Sequence, residues 1–291
     1  MDWLLSLGAI VIIKDGAVEK KITAGIKIPT GRITIIQIAP LNSEQTWDIT
    51  DEDLGRFKGL NDLLRIYFAK CPNVTGAGLA LFGSLPSLKL LHLNFPNADA
   101  ACLAKLPDFP MLNELSLVFP FTAEQFSSLP PLKSLLSLVG GNNVTDANLA
   151  TIVKRTKLTS LALGYCQISD DGLARLKGMK DLESLYFDGG STHSITGAGL
   201  VHLAELPHLF RLGIGSRSFD TKNVARLSEL KYLTELIVSG DNLKDTNEWI
   251  RQLSDLNGRI TKITLHAKSG FTATQAATLK QALPKVGVVL D

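Results

Sequence analysis

The chain has 291 residues, of which 45% are hydrophobic and 20% are charged, a composition typical of globular proteins rather than disordered ones. The formal net charge is +2, and no run of Lys or Arg is longer than the pair Lys20-Lys21, which argues against a nucleic-acid partner. The three cysteines, Cys71, Cys102 and Cys166, form no Cys-x-x-Cys pair and no even-numbered disulfide framework. We therefore expect a cytoplasmic protein with reduced thiols.

The first 32 residues begin with an apolar stretch from Trp3 to Ile13. This stretch follows Asp2 instead of a cationic segment, so it does not resemble a signal peptide, and it is too short to cross a bilayer. The dipeptide Asp15-Gly16 between two apolar runs predicts a β-hairpin. We expect residues 1–32 to form an N-terminal cap, made of a short helix and a hairpin, with no membrane association.

One pattern, Leu-x-x-Leu-x-Leu, recurs between residues 33 and 265 at intervals of 20 to 30 residues. The alternation within each copy has a period of two, which predicts a short strand with one buried face. About ten copies are found, with a degenerate one at Leu132. They begin at Ile33, Leu63, Leu88, Leu112, Leu132, Leu158, Leu182, Leu209, Leu233 and Ile260.

A short helix is predicted after each strand, because an apolar residue, a Ser or Thr and often an Asp precede apolar residues at helical spacing. The aspartates Asp51, Asp146 and Asp170 are expected to interact with the positive ends of these helices. Thr50-x-x-Asp53 and Thr272-x-x-Gln275 resemble capping boxes.

Repeats of 24 to 27 residues leave room for only about two helical turns, whereas a (β/α)8 barrel uses roughly 31 residues per unit. We therefore predict an α/β leucine-rich-repeat solenoid, a curved open stack with a parallel concave sheet and short helices on the convex side. Residues 33–265 form about ten repeats. Residues 266–291 form a C-terminal cap, with a helix over residues 272–283 and a closing strand over residues 286–290. All three parts belong to one continuous domain.

The segments 168–176 (ISDDGLARL) and 195–200 (ITGAGL) resemble the repeats of cysteine-containing and ribonuclease-inhibitor-like leucine-rich-repeat proteins. Their spacing is similar to that of the large sets of such proteins in planctomycete-type bacteria. The resemblance covers nearly the whole chain and implies the fold. It does not imply one function, because members of such a family share a scaffold and bind unrelated proteins.

No catalytic, metal or cofactor motif is present in the sequence, so we expect neither an enzyme nor a cofactor. Cys71 and Cys166 both occupy position nine of a repeat, counted from the first leucine of its pattern. This position predicts buried scaffold residues rather than nucleophiles. The five histidines lie in different repeats or lack the spacing of a metal pair. They are His92, His193, His202, His208 and His266.

The concave face is predicted from positions three, five and seven of each repeat, counted from its first leucine, since these side chains point away from the core. Arg65, Tyr67, Leu90 and His92 fall there in the second and third repeats, and Glu114 extends the block by one strand. This block combines a cation, aromatic rings, a carboxylate and an apolar side chain that we expect to be exposed. Farther along, the face is small and bland around Gly213, with Tyr186 and Arg211 as isolated exceptions.

Other features border this predicted face. Gln37 is expected at position five of the first repeat, level with Tyr67, and Phe95 and Phe119 at position eight either flank the block or pack on their own turns. Residues 40–48 are an insertion that is either a tolerated surface loop or part of a binding side. We expect a monomeric protein that binds a protein partner through the amino-terminal half of the concave sheet. The alternative is a structural or vestigial repeat protein without a specific partner.

Overall fold

The computed structural model describes residues 1–27, 34–97, 109–118, 137–140, 144–155, 157–164, 166–188, 195–215, 219–239, 245–256, 259–266 and 270–291. Only the backbone is described for residues 137–140, 155 and 188. The beginning of the predicted repeat at Leu132, together with Cys102, Phe119 and His193, lies outside the described residues. The chain forms two compact units, an amino-terminal unit (Met1–Leu138) and a carboxy-terminal unit (Val139–Asp291).

The amino-terminal unit begins with helix α1 (Asp2–Ser6) and the strands β1 (Ala9–Asp15) and β2 (Val18–Ile22), which form the predicted hairpin around Asp15-Gly16. Strand β3 (Thr34–Pro40) is antiparallel to β1, so β1 lies between β2 and β3. Val11 and Ile13 of β1 are fully buried. The edge strand β2 exposes Lys20 and Lys21, charges that disfavour pairing with another chain.

Strands β4 (Arg65–Tyr67), β5 (Leu90–Leu93) and β6 (Glu114–Leu117) continue the sheet in parallel with β3. Between the strands lie helix α2 (Asp51–Leu54), which continues as the 3₁₀ helix Gly55–Phe57, and the 3₁₀ helix Gly78–Leu81. The predicted capping box of Thr50 and Asp53 is present. The short helices follow from repeats of about 25 residues, which leave no room for longer ones.

The register predicted for the first repeat is wrong by two residues. Gln37 pairs with Arg65 and Ile38 with Ile66, whereas the sequence placed Gln37 level with Tyr67. The stretch around β3 contains Ile35, Ile36 and Ile38, so the leucine pattern fits it in two registers. The antiparallel partner β1 and its bulge between Ile12 and Ile13 help to select the observed one.

Phenylalanine rings build the core of the amino-terminal unit. The ring centroids of Phe68 and Phe95 are 5.0 Å apart, and Phe57 stacks on Phe82 at 5.5 Å. Phe95 is fully buried, so it does not flank the open face of the sheet and belongs to the core instead. Trp3 of α1 makes an edge contact with Phe57 at 5.8 Å, which attaches the first helix to this core.

The carboxy-terminal unit contains six parallel strands, β8 (Ser160–Gly164), β9 (Ser184–Asp188), β10 (Arg211–Gly215), β11 (Glu235–Val238), β12 (Lys262–Leu265) and β13 (Gly287–Leu290). Strand β7 (Ser137–Gly140) contains the boundary between the two units. The pairings Ser160↔Ser184 and Arg211↔Glu235 match the predicted repeat register. The predicted closing strand near the C-terminus is confirmed as β13.

The helices of this unit are α3 (Asp146–Arg155), α4 (Asp170–Ala174), α5 (Thr246–Ser254) and α6 (Ala273–Ala282), with 3₁₀ helices at Arg175–Gly178, Ala198–Leu203 and Thr221–Glu229. The predicted capping box of Thr272 and Gln275 begins α6. Parallel strands alternate with short helices in each unit, and those leucines of the pattern that the structure describes are buried. The predicted α/β leucine-rich-repeat fold is therefore confirmed. None of the helices in the described part of the chain is long and apolar enough to cross a membrane.

A ladder of carboxylates links consecutive repeats at the helix starts. Asp170 accepts hydrogen bonds from the amide (3.2 Å) and hydroxyl (2.6 Å) of Thr196 in the next repeat, and from the amide of Gly199 (2.9 Å). Asp51 bonds in the same way to Thr75, and Asp146 to Ser169. The expectation that these aspartates act on their own helix ends is thus incomplete, because each one also caps the next repeat.

The ladder explains the glycines of the repeat motif. A β-carbon at Gly199 would lie 2.9 Å from the Oδ1 atom of Asp170, closer than van der Waals contact allows. Gly78 and Gly172 face Asp51 and Asp146 in the same manner. The motif Ser/Thr-x-x-Gly at residues 75–78, 169–172 and 196–199 therefore records contacts with an aspartate of the preceding repeat as well as helix capping within its own.

Candidate functional site

The open face of the amino-terminal unit carries the side chains of the predicted block. In register, Arg65 lies beside Leu90 and Leu90 beside Glu114, while Tyr67 lies beside His92. The ring centroids of Tyr67 and His92 are 6.2 Å apart. The structure therefore brings together the five residues that the sequence placed in one block.

Leu90 differs from the expectation. We expected an exposed apolar side chain, but Leu90 is only 7% exposed, between Arg65 and Glu114 on the flanking strands. Long side chains on neighbouring strands can cover a shorter one between them. The accessible groups of the block are thus Arg65, Tyr67, His92 and Glu114.

His92 is held by a hydrogen bond between its Nδ1 atom and the Oγ atom of Ser116, 2.8 Å apart. Burial lowers the pKa of His92 below its ordinary value, so the ring is neutral at pH 7. A neutral imidazole with Nδ1 engaged presents Nε2 as one donor or acceptor, depending on its tautomer. His92 is therefore a polar but uncharged element of the face.

Tyr67 keeps its proton well above neutral pH. Burial raises its pKa, the negative charge of Glu114 adds to the rise, and the positive charge of Arg65 opposes it. The Tyr67 hydroxyl is consequently available as a hydrogen-bond donor beside a large apolar ring, a combination that is common at protein interfaces.

A groove of about 580 Å³ adjoins Tyr67 and His92 where the strands end. Its apolar surface comes from the ends of the strands and from the loop after β3. These residues are Ala39, Pro40, Phe68, Ala69 and Val118. Its polar surface consists of amides, hydroxyls and one imidazole, from Gln37, Asn42, Ser43, Tyr67, His92 and Asn94.

The loop that follows β3 forms one wall of this groove. Gln45 fixes the loop, because its amide donates to the carbonyl of Leu7 at 2.6 Å and accepts from the amide of Leu41 at 2.6 Å. Trp47, at the end of the loop, is 1% exposed and contacts Phe68. The insertion at residues 40–48 is therefore anchored at both ends, and Asn42 and Ser43 line the groove between its anchors.

The sequence singled out Tyr67 and His92 of this groove but missed Gln37, Asn42, Ser43 and Asn94. The length of the insertion was the available signal for Asn42 and Ser43. Gln37 lay at a face position, but its register was wrong. Asn94 lies at position seven of its repeat, a predicted face position, but it was not singled out among the residues there.

On the open face of the carboxy-terminal unit, Tyr186 and Arg211 are not isolated. The Tyr186 hydroxyl is 2.9 Å from the Oγ atom of Ser239, and the ring covers Gly213 between them. Arg211 donates from Nε to Oε2 of Glu235 at 2.7 Å, and this hydrogen bond lowers the pKa of Glu235. Both side chains are thus engaged by neighbours on the same face.

The buried thiol of Cys71 donates to the carbonyl of Ala69 at 3.1 Å, and burial raises its pKa to about 12. Cys166 is also fully buried. The predicted burial of both cysteines is confirmed, and a reactive cysteine needs access and a lowered pKa. Among the residues that the structure describes, no three His, Cys, Asp or Glu side chains converge as metal ligands.

No protein-family model and no curated protein matches the sequence. Similar solved structures include an internalin from Listeria monocytogenes, with 21% identity and a TM-score of 0.47, over 85% of this chain and 73% of that one. TLR13 in complex with ssRNA13 is another, with 18% identity and a TM-score of 0.44, over 81% of this chain and 37% of that one. Both are leucine-rich-repeat proteins.

Proposed function

We propose that this chain is a non-catalytic protein-interaction module whose partner binds the open face of the amino-terminal unit. The observation that carries the proposal is the 580 Å³ groove beside the block formed by the exposed Arg65 and the partly exposed Tyr67, His92 and Glu114. Binding energy at protein interfaces is concentrated in aromatic and arginine side chains beside well-formed pockets. Tyr67 and Arg65 are therefore the proposed anchors, with His92 and Glu114 around them.

The carboxy-terminal unit is assigned a lesser role in binding. Tyr186 and Arg211 use their polar groups on Ser239 and Glu235 of the same face, so a partner would have to break these contacts. This observation favours the alternative, a structural role, for that unit. For the whole chain, the groove favours the interaction module.

A protein partner is proposed rather than RNA, although TLR13 was solved with single-stranded RNA. None of the described residues that line the groove is Lys or Arg, and Arg65 is balanced on the same face by Glu114. Binding of single strands depends on a positively charged groove with stacking platforms. We also propose, from the sequence, a monomeric cytoplasmic protein of the cysteine-containing, planctomycete-like type, without a cofactor.

The experiment is affinity capture from a lysate of the source organism with four immobilised baits, followed by quantitative mass spectrometry. The baits are the wild type, Tyr67→Ala, Arg65→Ala and the control Thr264→Ala. We expect one protein to be enriched by the wild type and Thr264→Ala and to bind the other two about tenfold more weakly. Melting temperatures of all baits exclude misfolding as the cause.

Titration of each of the four baits with the purified partner then gives the dissociation constants directly. Equal recovery by all four baits, or loss with Thr264→Ala alone, would contradict the proposed face. Addition of single-stranded RNA to the lysate should leave the recovery unchanged.

A further inference from the structure

We infer that the groove of the amino-terminal unit accepts an extended peptide segment of about four residues without charged side chains. This inference rests on the proposed function and specifies the part of the partner that enters the groove. Three features support it: the length of the groove, its hydrogen-bonding groups and its lack of charge.

The groove crosses four neighbouring strands. Its lining residues come from β3 and the loop after it, from β4, from β5 and its following turn, and from Val118 directly after β6. Strands lie about 4.8 Å apart, so the groove is about 14 Å long, and an extended chain rises about 3.3 Å per residue. A segment of about four residues therefore fits along it.

The polar groups of the groove match a peptide main chain. Within the described residues, the side-chain amides of Gln37 and Asn94 make no hydrogen bond to another protein group, and neither does the Tyr67 hydroxyl. Asn42 accepts from the amide of Glu44 at 3.1 Å, which leaves its own NH₂ group as a donor. Amide side chains donate and accept at once, as the N–H and C=O groups of a peptide require.

The lack of charge on the described lining residues disfavours Asp, Glu, Lys and Arg in the bound segment. In the described part of the chain, no residue that lines the groove carries a formal charge, since His92 is neutral at pH 7. A charged side chain would lose water there without gaining a counter-ion, which is unfavourable. Val118, which lines the groove and is 39% exposed, provides apolar surface for one uncharged side chain.

The test uses phage-displayed random heptapeptides selected on the intact immobilised chain. We expect enriched sequences to share a window of about four residues without Asp, Glu, Lys or Arg. The most enriched sequence, made as a fluorescein-labelled synthetic peptide, should bind with a dissociation constant that fluorescence anisotropy can measure.

Variants of the chain locate the binding. Asn94→Ala and Gln37→Ala should each weaken binding of the peptide several-fold, and the double variant should weaken it more than tenfold. The matched control Asn113→Ala should leave the affinity unchanged. N-methylation of the main chain within the shared window should abolish binding. Thr264→Ala should leave binding of the peptide unchanged, since Thr264 lies in the carboxy-terminal unit and is not among the described residues that line the groove.

Several results would overturn the inference. These are no enrichment, a charged residue common to all selected windows, or affinity unchanged by the double variant. Binding of maltohexaose or chitohexaose in place of any peptide would assign the groove to a glycan. In each case a Tyr67-dependent capture of a protein would leave the proposed function standing, so the two failures are distinguishable.

Discussion

The ring of Tyr186, on β9, occupies the space that a side chain at Gly213 on the neighbouring strand β10 would need. A β-carbon at Gly213 would lie 2.8 Å or less from three carbons of this ring, and the hydroxyl beyond it reaches Ser239. The side chain of Tyr186 thus crosses a strand of its own sheet. Gly213 is required by this crossing, and not by a turn or by a ligand.

We predict that Gly213→Ala destabilises the protein by about 1–3 kcal/mol, because the ring must move and its bond to Ser239 is lost. Urea denaturation measures the change. The control is Gly164→Ala on β8, where an added methyl group meets no atom within 4 Å. Equal stabilities of the two variants would show that the Tyr186 side chain does not cross β10 at Gly213. In a Tyr186→Ala background, Gly213→Ala should lose most of its effect on the free energy of unfolding.

Asp170→Ala should lower the free energy of unfolding by about 1–3 kcal/mol, since the amides of Thr196 and Gly199 and the Thr196 hydroxyl lose their acceptor. Asp171→Ala is the matched control, because Asp171 lies in the same first helical turn but is exposed. A simple helix-dipole effect would make the two variants alike. Chemical denaturation of both should instead show a loss for Asp170→Ala alone.

Cys71 should react slowly with Ellman's reagent in the native protein. Its thiol is fully buried and has a pKa of about 12, so it is almost entirely protonated at pH 8. The measurement uses a Cys102→Ser variant, in which Cys71 and Cys166 are the remaining thiols. We expect two equivalents of rapid reaction in denaturant and almost none before it. Rapid native labelling would show that the turn residues are accessible.

Deletion of residues 1–32 should cause aggregation or a large loss of thermal stability, because β3 would lose its antiparallel partner β1 and Phe57 its contact with Trp3. Light scattering and a melting curve test this. A milder version compares Val11→Asp, at a fully buried position of β1, with Val18→Asp on the exposed β2. The first should cost about 3 kcal/mol or more and the second almost nothing. A monomeric deletion variant with an unchanged melting temperature would contradict the cap hypothesis.

Local patterns carried most of the information about the fold. The turn at Asp15-Gly16 and the capping boxes at Thr50 and Thr272 involve residues at most three or four positions apart, so the sequence alone predicts them. The register of β3 could not be obtained in this way, because several isoleucines fit the pattern equally and a strand distant in sequence helps to select among them.

The candidate site was predicted only where it follows the repeat. Arg65, Tyr67, His92 and Glu114 were found by counting positions, since parallel strands keep equivalent residues adjacent. The groove depends on a loop that breaks the repeat and on the contact of Gln45 with Leu7, 38 residues away. The burial of Leu90 likewise depends on side chains from other strands.

The carboxylate ladder has a consequence for how the protein opens. Asp170 belongs to one repeat and accepts a hydrogen bond from the backbone amide of Thr196 in the next repeat. This amide at the start of the later helix is therefore paired with a residue of the preceding repeat. Melting of α4 removes that acceptor and weakens the 3₁₀ helix Ala198–Leu203 with it. Fraying is thereby coupled between the two repeats wherever such an aspartate is present, as it is at Asp51, Asp146 and Asp170. Amide exchange at Thr196 accordingly reports the integrity of the preceding repeat.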